Sequence, residues 1–80
     1  QRDVPEAIRL AERACELTRR MDPTLLAILD QVYAEAGRFA EAIQVAEAVR
    51  TLAGNAGQTN ITAQATKRLE AYRAGKPYRG

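Results

Sequence analysis

LAILDQVYAEAGRFAEAIQVAEAVRTL, residues Leu26 to Leu52, decides the fold. Leu26, Leu29, Val32, Tyr33 and Ala36 recur at three- and four-residue spacing, which places them along one face of a helix. Asp22 and Pro23 stand just ahead. A short carboxylate suits the N-cap, and Pro suits the first helical position, where a missing N–H costs nothing. Gly37 is the stop, because the left-handed residue that closes a helix is cheapest as Gly. Beyond Arg38 a second apolar stripe begins: Phe39, Ala42, Ile43, Ala46, Val49 and Leu52. So short a connection makes the two helices antiparallel neighbours, and alanines on both faces let their backbones approach closely.

The second half of that hairpin has a copy. VPEAIRLAERACEL (Val4 to Leu17) lies 35 positions before FAEAIQVAEAVRTL (Phe39 to Leu52). Glu6/Glu41, Ala7/Ala42, Ile8/Ile43, Ala11/Ala46, Glu12/Glu47 and Leu17/Leu52 are identical, and Leu10/Val45 and Ala14/Val49 keep the apolar type. A period of this length in helical sequence is the mark of a stacked helical array.

With these residues in place, the stretch resembles a tetratricopeptide repeat. Leu26, Leu29-Asp30, Tyr33, Gly37, Phe39, Ala42 and Ala46 fall on the positions of the family pattern. The chain departs from it by Leu26 for Trp, Asp30 for Gly, Ala46 for an aromatic residue, and Gly54 near the usual Pro. The ending YRAGKPYR (Tyr72 to Arg79) is similar to the finish of many bacterial chains of this type. The resemblance implies an all-α fold: antiparallel helix hairpins of a tetratricopeptide-like α-solenoid, four helices in all, with a C-terminal capping helix. Residues 1–21 are then the second helix of a truncated repeat, 22–57 one full repeat, 58–75 the capping helix and 76–80 a tail. It also implies a non-enzymatic scaffold that binds a protein or peptide.

Length and composition agree. Eighty residues make one domain at most. A chain of this size buries only about 60% of its unfolded surface, so the core is thin. No apolar run is long enough to span a bilayer. A start at Gln1 without Met or a signal peptide fits a piece of a longer protein. The single Cys15 excludes an internal disulfide and marks no compartment. The net charge is +2, unevenly spread: residues 1–20 carry five basic and four acidic groups, 21–57 two and five, 58–80 five and one.

Asp3 and Glu6 read as an N-cap and capping box, opening a first helix from Val4 to Arg20. Ala7, Ile8, Ala11, Ala14, Cys15 and Thr18 line one side of it; Leu10, Leu17 and Met21 line another. Two apolar sides on one helix call for neighbours on both. The third helix runs on past Leu52 and stops at Gly54 or Gly57, with Gly57 favoured because Ala53 and Ala56 are good helix formers. The fourth, from Gln58 to Ala74, carries a narrow stripe of Ile61, Ala65, Leu69 and Tyr72, with Gln64, Lys67, Arg68, Glu70 and Arg73 covering the remainder. A polar outer face is what the last unit of a solenoid requires.

The chain has no His, no Ser and no Trp, which removes serine triads, histidine bases and the usual zinc sets together. Cys15 lies on an apolar stripe with no imidazole to activate it and reads as a packed thiol. The acidic residues read as solvated surface charge, and no metal or other cofactor is called for. Gly75-Lys76 lacks the upstream Gly and strand of a phosphate loop. Asn60-Ile61-Thr62 fits the glycosylation triplet but falls inside a helix. The basic end, with Lys67, Arg68, Arg73, Lys76 and Arg79 around Tyr72 and Tyr78, has the composition of a nucleic-acid or anionic-surface binder. The plainer reading, a capping helix with Tyr72 packed inward, is preferred.

Two candidate surfaces remain. Carried over from the family by position, the partner groove exposes Thr24, Ala27, Gln31, Ala34 and Glu35 on the second helix, with Thr59, Thr62 and Thr66 beside them on the fourth. The same residues also fit ordinary solvent-facing positions of a structural end piece. The second surface is the stripe Leu10, Ala14 and Leu17, with Met21. With no preceding helix to cover it, this stripe is expected to drive a two-fold dimer, as a product of truncation; the alternative is that Arg9, Arg13 and Arg20 fold their stems over it and keep the chain monomeric.

Overall fold

The computed structural model describes residues 4–78. Four helices follow one another: α1 (Val4–Leu17), α2 (Pro23–Glu35), α3 (Phe39–Asn55) and α4 (Thr59–Arg73). The described residues form no strand, so the chain is all-α. Asp3 and Arg79 lie outside the described residues, and the expected N-cap of α1 with them.

Local chemistry sets the helix ends. Asp22 is extended (φ −99°, ψ 107°), and its carboxylate accepts the Thr24 N–H at 2.9 Å, with Pro23 opening α2. At the other end Gly37 (φ 78°) turns the chain left-handed. This lets the Gly37 N–H reach the Ala34 carbonyl (3.0 Å) and the Arg38 N–H reach the Tyr33 carbonyl (2.9 Å). That is the Schellman closure, and Gly57 (φ 73°) repeats it for α3 through Gln58 and Ala53.

α1 ends by the same hydrogen bonds without a glycine, and three residues earlier than the expected Arg20. Arg19 donates its N–H to the Glu16 carbonyl (2.9 Å) and Arg20 to the Cys15 carbonyl (2.7 Å). Arg19 and Arg20 both sit left-handed (φ 57° and 56°), a region that side chains with a Cβ resist. The Thr18 hydroxyl also donates to the Cys15 carbonyl (3.0 Å), filling a terminal acceptor. The periodicity of α1 has no Gly to announce this stop.

α2 is the pivot. It packs against α1, α3 and α4; α3 packs against α4 as well; α1 touches neither α3 nor α4 among the described residues. The result is a slab of 37 × 30 × 18 Å. Leu26, Leu29, Tyr33 and Ala34 of α2 meet Ile8 and Cys15 of α1, Ala42, Val45, Ala46 and Val49 of α3, and Ala65, Leu69 and Tyr72 of α4 in one buried cluster. Ala42 and Ala46 are wholly buried, as the close helix approach requires. The stripe of α4 points inward as its spacing predicts, with Tyr72 packed against Phe39 at a ring separation of 6.3 Å.

Candidate functional site

The most developed polar cluster is one the sequence does not advertise. Asp30 and Arg68 are both buried, and the Arg68 fork donates Nε to Asp30 Oδ1 (2.9 Å) and Nη2 to Oδ2 (3.1 Å). The Tyr72 hydroxyl adds a third bond to Oδ1 at 2.7 Å. α2 places Asp30 in the stripe between Leu29 and Tyr33; α4 places Arg68 and Tyr72 one turn apart on the face that meets it. Desolvation pushes the Asp30 carboxyl above its ordinary range, and the bonds from Arg68 and Tyr72 pull it back. Burial and the neighbouring carboxylate also raise the Tyr72 phenol. Both carboxylate oxygens of Asp30 accept from fixed donors inside the core, so the cluster clasps α2 to α4. It has no opening for a substrate.

This corrects two expectations. Arg68 is not part of the polar covering of α4, and it is not available to a basic surface. Asp30 is not a solvated charge. With Tyr72 also buried, the C-terminal basic surface is reduced among the described residues to Lys67, Arg73 and Lys76. Of these, Arg73 is paired with Glu47 of α3 at 3.2 Å.

A second chain of contacts joins α1 to the hairpin turn. The Tyr33 hydroxyl donates to Glu12 Oε2 at 2.5 Å, and the Arg38 guanidinium lies 4.8 Å from the centre of the Tyr33 ring. Arg38 in turn donates to both carboxylate oxygens of Glu41, at 2.5 and 2.6 Å. Burial and the bond to Glu12 push the Tyr33 phenol up to about 12. These groups fix one another and leave no poised acid or base. On the outer side of α1, Arg9 donates to Glu6.

Cys15 is fully buried, and burial pushes its thiol up, so the protonated, unreactive form prevails. Among the described residues no three His, Cys, Asp or Glu gather as metal ligands, and no buried side-chain nitrogen or oxygen lacks a partner. Among the same residues, no helix is long and apolar enough to cross a membrane.

The two expected surfaces are placed as follows. Thr24, Gln31 and Glu35 are exposed on α2, with Ala27 half-buried beside them. Ala34, expected in the same groove, is buried in the core instead. It lies one turn from Asp30, on the side that turns toward α4. On α4, Thr59 is exposed and Thr62 and Thr66 are half-buried. At about 100° per residue, Thr62 and Thr66 stand a third to nearly half of a turn around α4 from Arg68, which marks the α2 side. The two helices therefore present their groove residues on corresponding flanks and not face to face. Gln31, Thr62 and Thr66 each donate a side-chain hydrogen to the carbonyl four residues back, on Ala27, Gln58 and Thr62. Their oxygens keep acceptor capacity.

On α1, Leu10 and Leu17 are 59% and 76% exposed, Met21 is 63% exposed beyond the helix end, and Ala14 is half-buried. The flank without a neighbour is the one that the two-sided pattern of α1 singles out. Compared with known proteins, the chain matches no family model, no curated protein and no solved structure.

Proposed function

We propose that the chain is a non-enzymatic scaffold for protein–protein interaction, a stretch of a tetratricopeptide-like superhelix closed by α4. One observation carries this reading. α1 and α3 share a register and both pack on α2, yet they do not touch, and α1 does not meet α4. A closed four-helix bundle would bring its first and last helices together around one core. Contacts that run from each helix to the next, with α2 also reaching α4, suit hairpins stacked in a row.

The partner surface in this reading is the outward flank of α2, with Thr24, Ala27, Gln31 and Glu35, continued on α4 by Thr62 and Thr66. One N–H of Gln31 and the hydroxyl hydrogens of Thr62 and Thr66 are engaged on their own helices, so the flank offers more acceptors than donors. It suits a peptide that brings donors, such as Lys, Arg or amide side chains.

Peptides selected from a display library on the immobilised chain test this, with the bound segment mapped by amide chemical shifts. The reading expects the largest shifts at Thr24, Ala27, Gln31 and Glu35, and at least tenfold weaker binding after Gln31→Arg or Glu35→Lys. Shifts confined to Lys67, Arg73 and Lys76, with binding lost steeply as salt is added, would overturn it in favour of an anionic-surface binder.

A further inference from the structure

The flank of α1 that α2 leaves bare has the chemistry of a self-complementary seam. Ala7, Leu10, Ala14 and Leu17 follow one another at three-, four- and three-residue steps, alternating small and large along one line of the helix. Such a line repeats every seven residues, the spacing at which two helices mesh side by side. If a second α1 is laid antiparallel across a two-fold axis at Glu12, Leu10 meets the copy's Ala14 and Leu17 meets its Ala7. Each large residue then has a small one opposite, which lets the backbones close up.

Charge supports the same orientation. α1 begins with Glu6 and runs out through Arg19 and Arg20, so the antiparallel arrangement sets the acidic start of each copy beside the basic end of the other. The helix dipoles oppose one another in the same sense. On the outer edge of the seam stands Arg13, exposed and next to the axis. Across the axis its counterpart is its own symmetry mate, a like-charge pair that Glu16, three residues on, only partly offsets.

The opposite end of the slab excludes head-to-tail stacking. The exposed positions of α4 include Asn60, Gln64, Lys67, Glu70 and Arg73, so an α4-to-α1 contact would press Leu10 and Leu17 against charged and amide groups. An isologous contact buries apolar on apolar and closes at two copies.

We infer that α1 is a homodimerisation surface, pairing antiparallel with α1 of a second copy about a two-fold axis near Glu12. The seam is one short helix, about 21 Å long at 1.5 Å per residue. The buried area falls at or below the low end of stable interfaces, roughly 1,200 Å² in total. The dimer is therefore weak, with a dissociation constant on the order of 100 μM.

Sedimentation equilibrium from about 10 μM to about 1 mM reads this out. The inference expects the weight-average mass to rise from about 1.1 to about 1.8 times that of one chain across the range, levelling toward two. Leu10→Glu and Leu17→Glu change exposed residues and leave helical circular dichroism intact; each should abolish the rise. Arg13→Gln removes the like-charged pair at the axis and should tighten the dimer several-fold. A monomer at 1 mM, growth beyond the dimer, or association untouched by both Glu variants would overturn the inference. Peptide binding on α2 is read separately with these same variants, so failure of the dimer leaves the groove reading standing and the reverse holds too.

Discussion

α1 and α3 share eight matched positions at a spacing of 35 residues, and the fold covers them unequally. α3 lies between α2 and α4, and its Val45 is 6% exposed where Leu10, the equivalent residue of α1, is 59% exposed. Val49 is fully buried where Ala14 is half-buried. Leu52 is half-buried where Leu17 stands out in solvent. α3 closes on Gly57, α1 on a strained Arg19. The lesson is that in a stacked array a helix's stability is set by the number of its neighbours, and the same residues stabilise less at an end than in the middle. The last helix, α4, escapes this because its inner stripe is narrow, its outer face is polar, and Arg68 and Tyr72 clasp it to Asp30.

The largest expected effect sharpens the contrast between the two ends. Arg68→Ala leaves Asp30 buried without its counter-charge and should cost about 3–5 kcal/mol in a thermal melt. The matching change at the other end, Tyr33→Phe, removes a single hydrogen bond to the half-buried Glu12 and should cost about 0.5–1.5 kcal/mol. Equal costs would mean that α1 is held as firmly as α4.

Next comes the pair Ala46→Phe and Ala11→Phe, the same substitution at equivalent positions. Ala46 has no space around it, and overpacking should cost about 1–3 kcal/mol; Ala11, half-buried, should cost about 1 kcal/mol or less. If the order reverses, the shared register of α1 and α3 is wrong.

The helix ends give a smaller pair with opposite signs. A Cβ added at Gly57 would meet no atom within 4 Å, so Gly57→Ala costs only backbone strain, about 1–2 kcal/mol. Arg19→Gly relieves the same strain at the end of α1 and should stabilise by about 0.5–1 kcal/mol after the entropy of Gly is counted. Loss of stability at Arg19→Gly would mean that the arginine side chain holds the turn.

Much of this was legible beforehand, and the reasons differ by residue. Asp22-Pro23 and Gly37 each carry a stereochemical demand that few other residues meet, so those boundaries could be read directly, while Gly54 and Gly57 compete for the end of α3 and the left-handed turn falls at Gly57. Ala42, Ala46, Cys15 and Tyr72 lie on stripes whose period alone turns them inward. The clasp runs against the ordinary rule that charged side chains face solvent. The signal was present: Asp30 interrupts the stripe Leu26, Leu29, Tyr33, and Arg68 sits between Ala65 and Tyr72 on the stripe of α4. Two opposite charges set into two apolar stripes that meet are a buried pair. Family position puts Ala34 in the groove, although its place four residues from Asp30 puts it near the buried face. The early end of α1 had no visible signal, since Arg19 replaces the glycine that would mark it.

Alkaline pH tests how tightly the two tyrosines couple to the fold. The Tyr33 phenol is raised to about 12 and Tyr72 is raised too, so the folded state holds protons that the unfolded chain gives up near 10. Stability contributed by these groups is complete below pH 10 and falls as pH rises through that window. Phenolate absorbance from Tyr33 and Tyr72 should appear together with loss of helical circular dichroism, and not before it.

The unequal covering of α1 and α3 is most directly read by amide hydrogen exchange at about 10 μM, where the proposed dimer is mostly dissociated. Amides of α3 from Val45 to Ala53 should exchange only through global unfolding, while those of α1 from Leu10 to Leu17 should open locally and exchange at least about tenfold faster. Equal protection along the two helices would contradict the account.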